Sequence, residues 1–510
     1  MSEQILDSSL AGENQLESIQ NFKGKYPKQL WALFFSEMWE RFCFYAMRGM
    51  LAYFMTSELT FSTKLSNLQY GAIQAFVYAF TFLGGMLADK ILGFRKSLVW
   101  GGLLMIAGSV ILAVDPHKFF FIGITFNIIG TGFFKPNISS MVGQLYKTGD
   151  SRRDAGFLLF YSGINIGAMI GGYIIAIGKG TMFTNLIPAD LRWNAAFGAS
   201  GIAMAISLIT FLLTKKNLGP IGLSPLLNMK PVKRSSIELT TYVLALASVP
   251  LIMIMVSNIT YTDYFMYAIG PFSLVYFIYE MTKYSLEENK KLIAAFLFIL
   301  FSVVYFAIFE QAGGSLALFA KTNVDSNLLG MTMDPNGVNN SINALFVIIF
   351  APLVGLLFLG LAKKKLEPNS TLKFGLGFLL LGLGFFIFFF MRFSASDDGK
   401  GSLNFLALAY LVISFGELFL SPIGLSLMTK LAPQKMQGFM MGMWFLASAY
   451  GQYVAGLFGA GISPKDSDSG IRKMELYTQG YYDFAWYAII AGVLLIALYP
   501  LMKYLMQEEK

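Results

Sequence analysis

Charge is scarce in this sequence. Asp, Glu, Lys and Arg make up 13% of its 510 residues, about half of the ~25% usual in soluble proteins. A soluble fold of this length has too much surface to cover with so few charges. Cysteine is almost absent. Cys43 stands alone, which excludes an intramolecular disulfide and any cysteine-based metal cluster. Histidine also occurs once, as His117 in the polar break Asp-Pro-His-Lys, where it reads as a solvated loop residue. The first 28 residues are polar and mostly acidic and lack the basic-then-apolar pattern of a cleaved signal peptide, so they are expected to form a mobile tail. There is no metal cluster, no nucleophile with a paired base and no sizeable soluble domain. These absences argue against an enzyme and against a receptor, and no cofactor is expected.

What the chain does have is apolar length. It is 55% hydrophobic and 16% aromatic, with a mean hydropathy of +0.59. Apolar runs of roughly 20 residues recur along it, which is the pattern of an all-α polytopic membrane protein. Fourteen spans are expected, centred near residues 43, 78, 105, 130, 165, 203, 246, 274, 304, 352, 383, 415, 448 and 493. An even number places both termini on one side. The net charge of +8 does not point to nucleic acid, because the basic residues cluster in alternate short loops, among them Lys90/Arg95/Lys96, Lys230/Lys233/Arg234 and Lys363/Lys364/Lys365. The richer side, which holds both termini, is expected to be cytoplasmic, with the protein in the plasma membrane (a bacterial inner membrane) and surrounded by lipid.

The chain also repeats itself. Gly130-Thr-Gly-Phe-Phe-Lys-Pro136 resembles Gly416-Glu-Leu-Phe-Leu-Ser-Pro422. This fits two six-span halves. Residues 1–29 are expected to be a cytoplasmic tail and 30–213 an N-terminal six-helix bundle. Residues 214–287 form a linker with two additional transmembrane helices, and 288–510 a C-terminal six-helix bundle with a short cytoplasmic tail. Two tandem bundles around a central site is a transporter plan.

The stretch Ser36–Met50 poses the chemical question, since a membrane helix here carries Glu37, Glu40, Arg41 and Arg48. Spaced by three or four residues, these share one helix face with Phe44 and Tyr45. Each charge at mid-bilayer costs at least ~2.5–3.5 kcal/mol, so the face must line protein or a watery cavity. Glu37 and Arg41, at i and i+4, are expected to pair. A third base, Lys135, lies in the span near 130, and two more acids, Glu310 and Glu417, lie in apolar surroundings in the second half. A zwitterion fits this set, with its carboxylate toward Arg41, Arg48 and Lys135 and its ammonium toward Glu417. Surplus buried carboxylates also suit a carrier coupled to protons, because their charge state switches as partners move.

Other signals are smaller. Gly85-Met-Leu-Ala-Asp-Lys-Ile-Leu-Gly-Phe-Arg-Lys96 is a short glycine-hinged loop in which Asp89 and Arg95 are candidates for a conformational clip. Tyr161 and Asn165 lie one turn apart, and Asn343 and Tyr78 are likewise expected to face a partner or a cavity. Gly163, Gly167, Gly171 and Gly172 suit close helix packing. Phe378–Phe390 reads as a lipid-facing helix, and residues 321–341 as an external polar loop.

Taken in order, these motifs resemble one family. Glu37-x-x-Glu40-Arg41-Phe42-x-x-Tyr45 resembles the E-x-x-E-R-F-x-Y-Y motif of the proton-coupled oligopeptide transporters, a branch of the major facilitator superfamily, and the 85–96 loop resembles that superfamily's signature loop. Phe133-Phe-Lys-Pro136, Phe160-Tyr-x-x-Ile-Asn-x-Gly167, Phe309-Glu-Gln-Ala-Gly313 and Gly416-Glu-Leu-x-Leu-Ser-Pro422 follow, covering nearly the whole chain. The two middle spans are similar to those of bacterial members. The resemblance implies the major facilitator fold and proton-coupled symport of di- and tripeptides by alternating access, with no cofactor. It implies proton coupling through Glu37, Glu40, Arg41, Lys135 and Glu310. It implies peptide binding by Arg41, Tyr45, Arg48, Tyr78, Lys135, Tyr161, Asn165, Asn343, Glu417, Ser421 and Trp444, in a protein functional as a monomer. Phe44, Phe306 and Ala344 depart from the family's usual tyrosine, tryptophan and proline. The alternative cargo is another small anionic or zwitterionic solute, such as nitrate or an amino-acid conjugate.

Overall fold

The computed structural model describes residues 14–147, 150, 152–433 and 436–507. Fourteen long helices dominate them. They are α1 (Lys28–Ser57), α2 (Thr63–Leu87), α3 (Phe94–Val114), α4 (Phe120–Gln144), α5 (Arg152–Gly172) and α6 (Arg192–Thr214). Then come α7 (Pro231–Ser257), α8 (Ile259–Met281), α9 (Leu286–Phe309), α10 (Pro335–Lys363), α11 (Ser370–Phe390), α12 (Leu403–Leu431), α13 (Gln437–Gly461) and α14 (Gly470–Ala497). Ten helices among the described residues are long and apolar enough to cross a membrane. A two-residue hairpin, β1 (Asn327–Leu328) with β2 (Met331–Thr332), is the only sheet among them.

Contacts divide the chain into two compact units. The first holds Met1–Arg48 and Ala79–Ile254, the second Gly49–Tyr78 and Met255–Lys510.

In the first unit, glycines let helices meet backbone to backbone. A Cβ on Gly167 of α5 would lie 2.1 Å from the Met38 carbonyl of α1, and one on Gly171 would lie 2.4 Å from the Phe42 carbonyl. Gly84 and Gly132 do the same for α2 and α4. The expected mobile tail is partly ordered. Residues 14–20 are helical, Ile19 is buried in the unit's core, and Gln20 Nε2 donates to the Gln144 carbonyl at 3.0 Å. Arg152 Nη1 holds the Phe22 and Gly24 carbonyls. Its anchors are backbone groups and a few apolar residues scattered through a polar stretch, Leu16, Ile19, Phe22 and Tyr26, too sparse to form a periodic pattern in the sequence.

In the second unit, α9 stops at Phe309, tightens into a turn at Glu310–Gly313 and resumes as a short helix at Ser315–Asn323. The 321–341 region is correspondingly less of a loop than expected. Asp334 caps α10, accepting from Gly337 N at 2.9 Å, so Asn343 sits two turns inside that helix. Helix α11 is also not simply lipid-facing. Phe378, Leu381, Phe385 and Phe388 are fully buried, with Phe385 against Tyr481 and Phe484 of α14. All-round apolar sequence hides which face is packed, since lipid and protein interior accept the same residues.

The two middle helices fasten to different units. Lys96 of α3 grips both carboxylate oxygens of Glu238 on α7 at 2.6 and 2.7 Å, and Trp100 packs on Tyr242 at 4.9 Å. On α8, Asp263 accepts from Tyr453 Oη at 2.5 Å, Met266 O accepts from Tyr450 Oη, and Phe265 stacks on Phe76 at 5.0 Å.

Candidate functional site

In the first unit the charged face of α1 is buried as a cluster. Glu37, Glu40 and Arg41 are each 2% exposed or less. Arg41 Nη2 donates to Glu40 Oε1 at 2.5 Å, and its Nε also donates to Glu40. The same Nε lies 3.2 Å from Glu37 Oε1, the expected i,i+4 pair. One guanidinium therefore serves two carboxylates, and Glu37 Oε2 is buried without a hydrogen-bond partner. The half-buried Lys135 of α4 lies within electrostatic reach of both acids. Phe44 is buried, its ring centroid 5.0 Å from the Arg41 guanidinium, so at this position the aromatic ring supports the cluster. Arg48 lies 5.6 Å from the Tyr45 ring centroid, and both are half-buried.

Asn165 is buried, but its Nδ2 turns back to the Tyr161 carbonyl of its own helix at 2.9 Å. It does not bridge helices through that contact. Of the two candidates for the conformational clip, Asp89 and Arg95, the second is tied to backbone carbonyls. Asp89 is exposed. Arg95 donates from Nε to the Ile221 carbonyl at 2.6 Å and from Nη2 to the Gly219 carbonyl. Gly93 makes this possible. Its φ is +75°, and a Cβ there would lie 2.5 Å from Leu223. The loop thus clasps the segment leading to α7. The sequence singles out Arg95 but does not reveal which backbone carbonyls come near it.

In the second unit the expected residues come from five helices. Glu310, 4% exposed, opens the turn that interrupts α9. Breaks of this kind line solute sites in transporters. Asn343 Nδ2 donates to Glu417 Oε2 at 3.0 Å and to Ser414 Oγ at 2.9 Å. Trp444 of α13 is 5% exposed and meets Phe306 edge to face, centroids 6.4 Å apart. A Cβ on Gly424 would strike the same indole at 2.1 Å. Tyr78, at the end of this unit's first segment, is half-buried. The Ser421 side chain lies outside the described residues.

Sequence reasoning missed Asn339, Tyr410 and Ser414. Tyr410 Oη donates to Asn339 Oδ1 at 2.8 Å, Asn339 Nδ2 donates to the Ala312 carbonyl at 2.8 Å, and Ser414 Oγ donates to the Tyr410 carbonyl at 2.7 Å. A signal was available. Asn336, Asn339, Asn340 and Asn343 lie at i, i+3, i+4 and i+7 and mark one polar face on α10.

No group of His, Cys, Asp and Glu among the described residues is arranged to hold a metal ion.

Comparison with known proteins gives a consistent result. The sequence profile described as the POT family matches residues 95–466. A peptide transporter of Yersinia enterocolitica, YePEPT, is 33% identical over 87% of this chain and 89% of its own. Dipeptide and tripeptide permease A of Serratia proteamaculans is 28% identical over 95% of this chain and 93% of its own. The crystal structure of a peptide transporter POT in complex with sulfate superposes with a TM-score of 0.80 at 31% identity, covering 98% of this chain and 99% of that one.

Proposed function

This chain belongs to the POT family, and on that premise we propose that it carries di- and tripeptides across a membrane together with protons. It is a multi-pass helical protein of the major facilitator type. The observation that most supports proton coupling is the α1 cluster, in which one guanidinium holds two buried carboxylates and Glu37 keeps an unpartnered oxygen. Within this cluster two carboxylates share one guanidinium. A proton on either acid, or the approach of Lys135, balances the second carboxylate. The peptide carboxylate competes with Glu37 and Glu40 for the same cations, Arg41 and Lys135, with Arg48 assisting.

The amino end goes to Glu417, which Asn343 holds in place. Every dipeptide has the same two charged ends at nearly the same spacing. Fixed charges therefore read the termini, while Tyr45, Tyr78, Tyr161, Asn165 and Trp444 bound the space for side chains. In this reading Glu310 accepts a proton and pairs with Arg48 when the outer side closes. Proton release inside lets the α1 cluster re-form and expels the peptide. The termini are cytoplasmic, the membrane is a plasma membrane and the monomer is the working unit. An inorganic anion such as nitrate fits less well, because it has no ammonium for Glu417.

The decisive measurement is uptake of labelled dialanine into proteoliposomes under an inward proton gradient, with and without a protonophore. Accumulation that the protonophore abolishes is expected. In Lys135→Ala or Glu37→Gln, gradient-driven uptake should vanish while counterflow exchange partly survives. Full driven uptake in either variant would overturn the coupling role.

A further inference from the structure

The second unit contains a polar ladder of which the transport reading uses only the Asn343–Glu417 end. Helix α10 presents Asn339 and Asn343 one turn apart, and α12 presents Tyr410, Ser414 and Glu417 at i, i+4 and i+7. These two stripes face each other. The lower rung is Asn343 with Ser414 and Glu417 at 2.9 and 3.0 Å. The upper rung is Tyr410 with Asn339 at 2.8 Å. Ser414 links the rungs by donating to the carbonyl of Tyr410 at 2.7 Å. Asn339 then spends its amide hydrogens outside the ladder, on the Ala312 carbonyl at 2.8 Å. Ala312 belongs to the Glu310–Gly313 turn, two residues from Glu310 itself.

The ladder's burial is graded. Asn343 and Glu417 are half-buried, whereas Asn339, Tyr410 and Ser414 are 2% exposed or less. The inner rung is therefore not placed to touch a solute. Buried polar groups are costly unless hydrogen-bonded, and a satisfied network of them rigidifies the elements it joins. The turn they hold has already lost its regular helical bonding, so a carbonyl there is free to accept from a side chain. Gln311 is fixed separately, its Nε2 donating to Ala455 O on α13 at 3.0 Å and its Oε1 accepting from Ser315 Oγ at 2.6 Å. The turn is thus tied on one side to α13 and on the other, through Asn339, to the helices that carry Asn343 and Glu417.

We propose that Asn339 and Tyr410 are positioning residues of the transport cycle, which fasten the Glu310 turn to the Asn343–Glu417 pair so that engagement of a peptide's amino end at Glu417 is transmitted to Glu310. The idea rests on the transport reading above and specifies how its two second-unit carboxylates act together. An ammonium drawn to Glu417 competes with the Asn343 amide for the same oxygen. Any shift of α12 against α10 is then felt at Tyr410 and Asn339, and through them at the carbonyl of Ala312.

The test uses Tyr410→Phe, which removes one hydroxyl and keeps the ring, together with Asn339→Leu. Each is reconstituted and compared with the unaltered protein and with Glu310→Gln. Dialanine counterflow exchange, which needs binding and reorientation but no net proton movement, is expected to stay within about twofold in both KM and rate. Gradient-driven accumulation is expected to fall about tenfold, the effect of losing one buried bond in a network. Driven and counterflow transport falling in proportion would mean a merely structural role and would overturn the proposal, as would no change in either. If Glu310→Gln accumulates dialanine like the unaltered protein, the proton role of Glu310 fails and the relay fails with it. If the unaltered protein does not accumulate dialanine, it is the transport reading that fails.

Discussion

Arg41 matters as a fork. Its planar guanidinium reaches Glu40 and Glu37 at once, which a lysine ammonium with a single point of charge does not reproduce. Arg41→Lys should therefore fold but lose gradient-driven peptide uptake by about tenfold or more, the scale of one to two charge-assisted hydrogen bonds. Rate and thermal midpoint measured on the same preparation separate lost coupling from lost folding, and a wild-type rate would refute the fork argument. Asp150 works by related chemistry at the surface. It accepts from the Arg152 side chain at 2.7 and 3.0 Å and from the Arg152 backbone N–H at 2.9 Å. These bonds hold its carboxyl at about 2, below the ordinary 3.8. A lowered value means the contribution is complete above the ordinary value and disappears as pH falls through about 2. At pH 4 the start of α5, where Arg152 lies, should resist pepsin better than in Asp150→Asn, and at pH 2 the two should be cut alike. Equal cutting at pH 4 would show that the carboxylate does not hold the start of α5.

Between helices, glycine is the main device. A side chain at Gly167 has no room, because its Cβ would lie 2.1 Å from the Met38 carbonyl. Gly167→Val should push α5 off the very turn of α1 that holds Arg41, costing ~1–3 kcal/mol. Gly355 of α10 has nothing within 4 Å of its Cβ position, so Gly355→Ala should be neutral or stabilising by up to ~1 kcal/mol. Thermal unfolding in detergent distinguishes them: a fall of several degrees for the first and none for the second. Similar behaviour of both variants would contradict the packing argument. The middle helices carry the same lesson in polar form. Glu238 and Asp263 sit on helices with much lipid-facing surface, and each is retained by a partner on a neighbouring helix, Lys96 and Tyr453. The sequence marked these helices as additional but gave no sign that each is fastened to a different unit.

For the whole molecule the open quantity is orientation. In the proposed orientation, which rests on the distribution of Lys and Arg, the segment around Leu329 is outside and the Lys363–Lys365 segment inside. Leu329 is strongly exposed. In a Cys43→Ser background, Leu329→Cys should react with an impermeant maleimide added to intact cells, whereas Lys364→Cys should react only after the membrane is opened. The reverse pattern would invert the topology and the direction of transport with it.

Much of this protein was legible in its sequence. Apolar runs of bilayer length determined the number of helices, because lipid allows few alternatives to a fully hydrogen-bonded helix. Charges too costly for lipid marked Glu37, Glu40, Arg41, Glu310 and Glu417, and helical periodicity placed Glu37 beside Arg41, a local geometry that needs no tertiary information. The tertiary structure decided what depends on approach between distant segments. It broke α9 at Glu310, aimed Arg95 at the carbonyls of Gly219 and Ile221, packed one face of α11, ordered part of the N-terminal segment and closed the ladder from Glu417 to Ala312. Most of these contacts use a backbone carbonyl or a close backbone approach, which every residue offers alike, so no residue type announces them in advance.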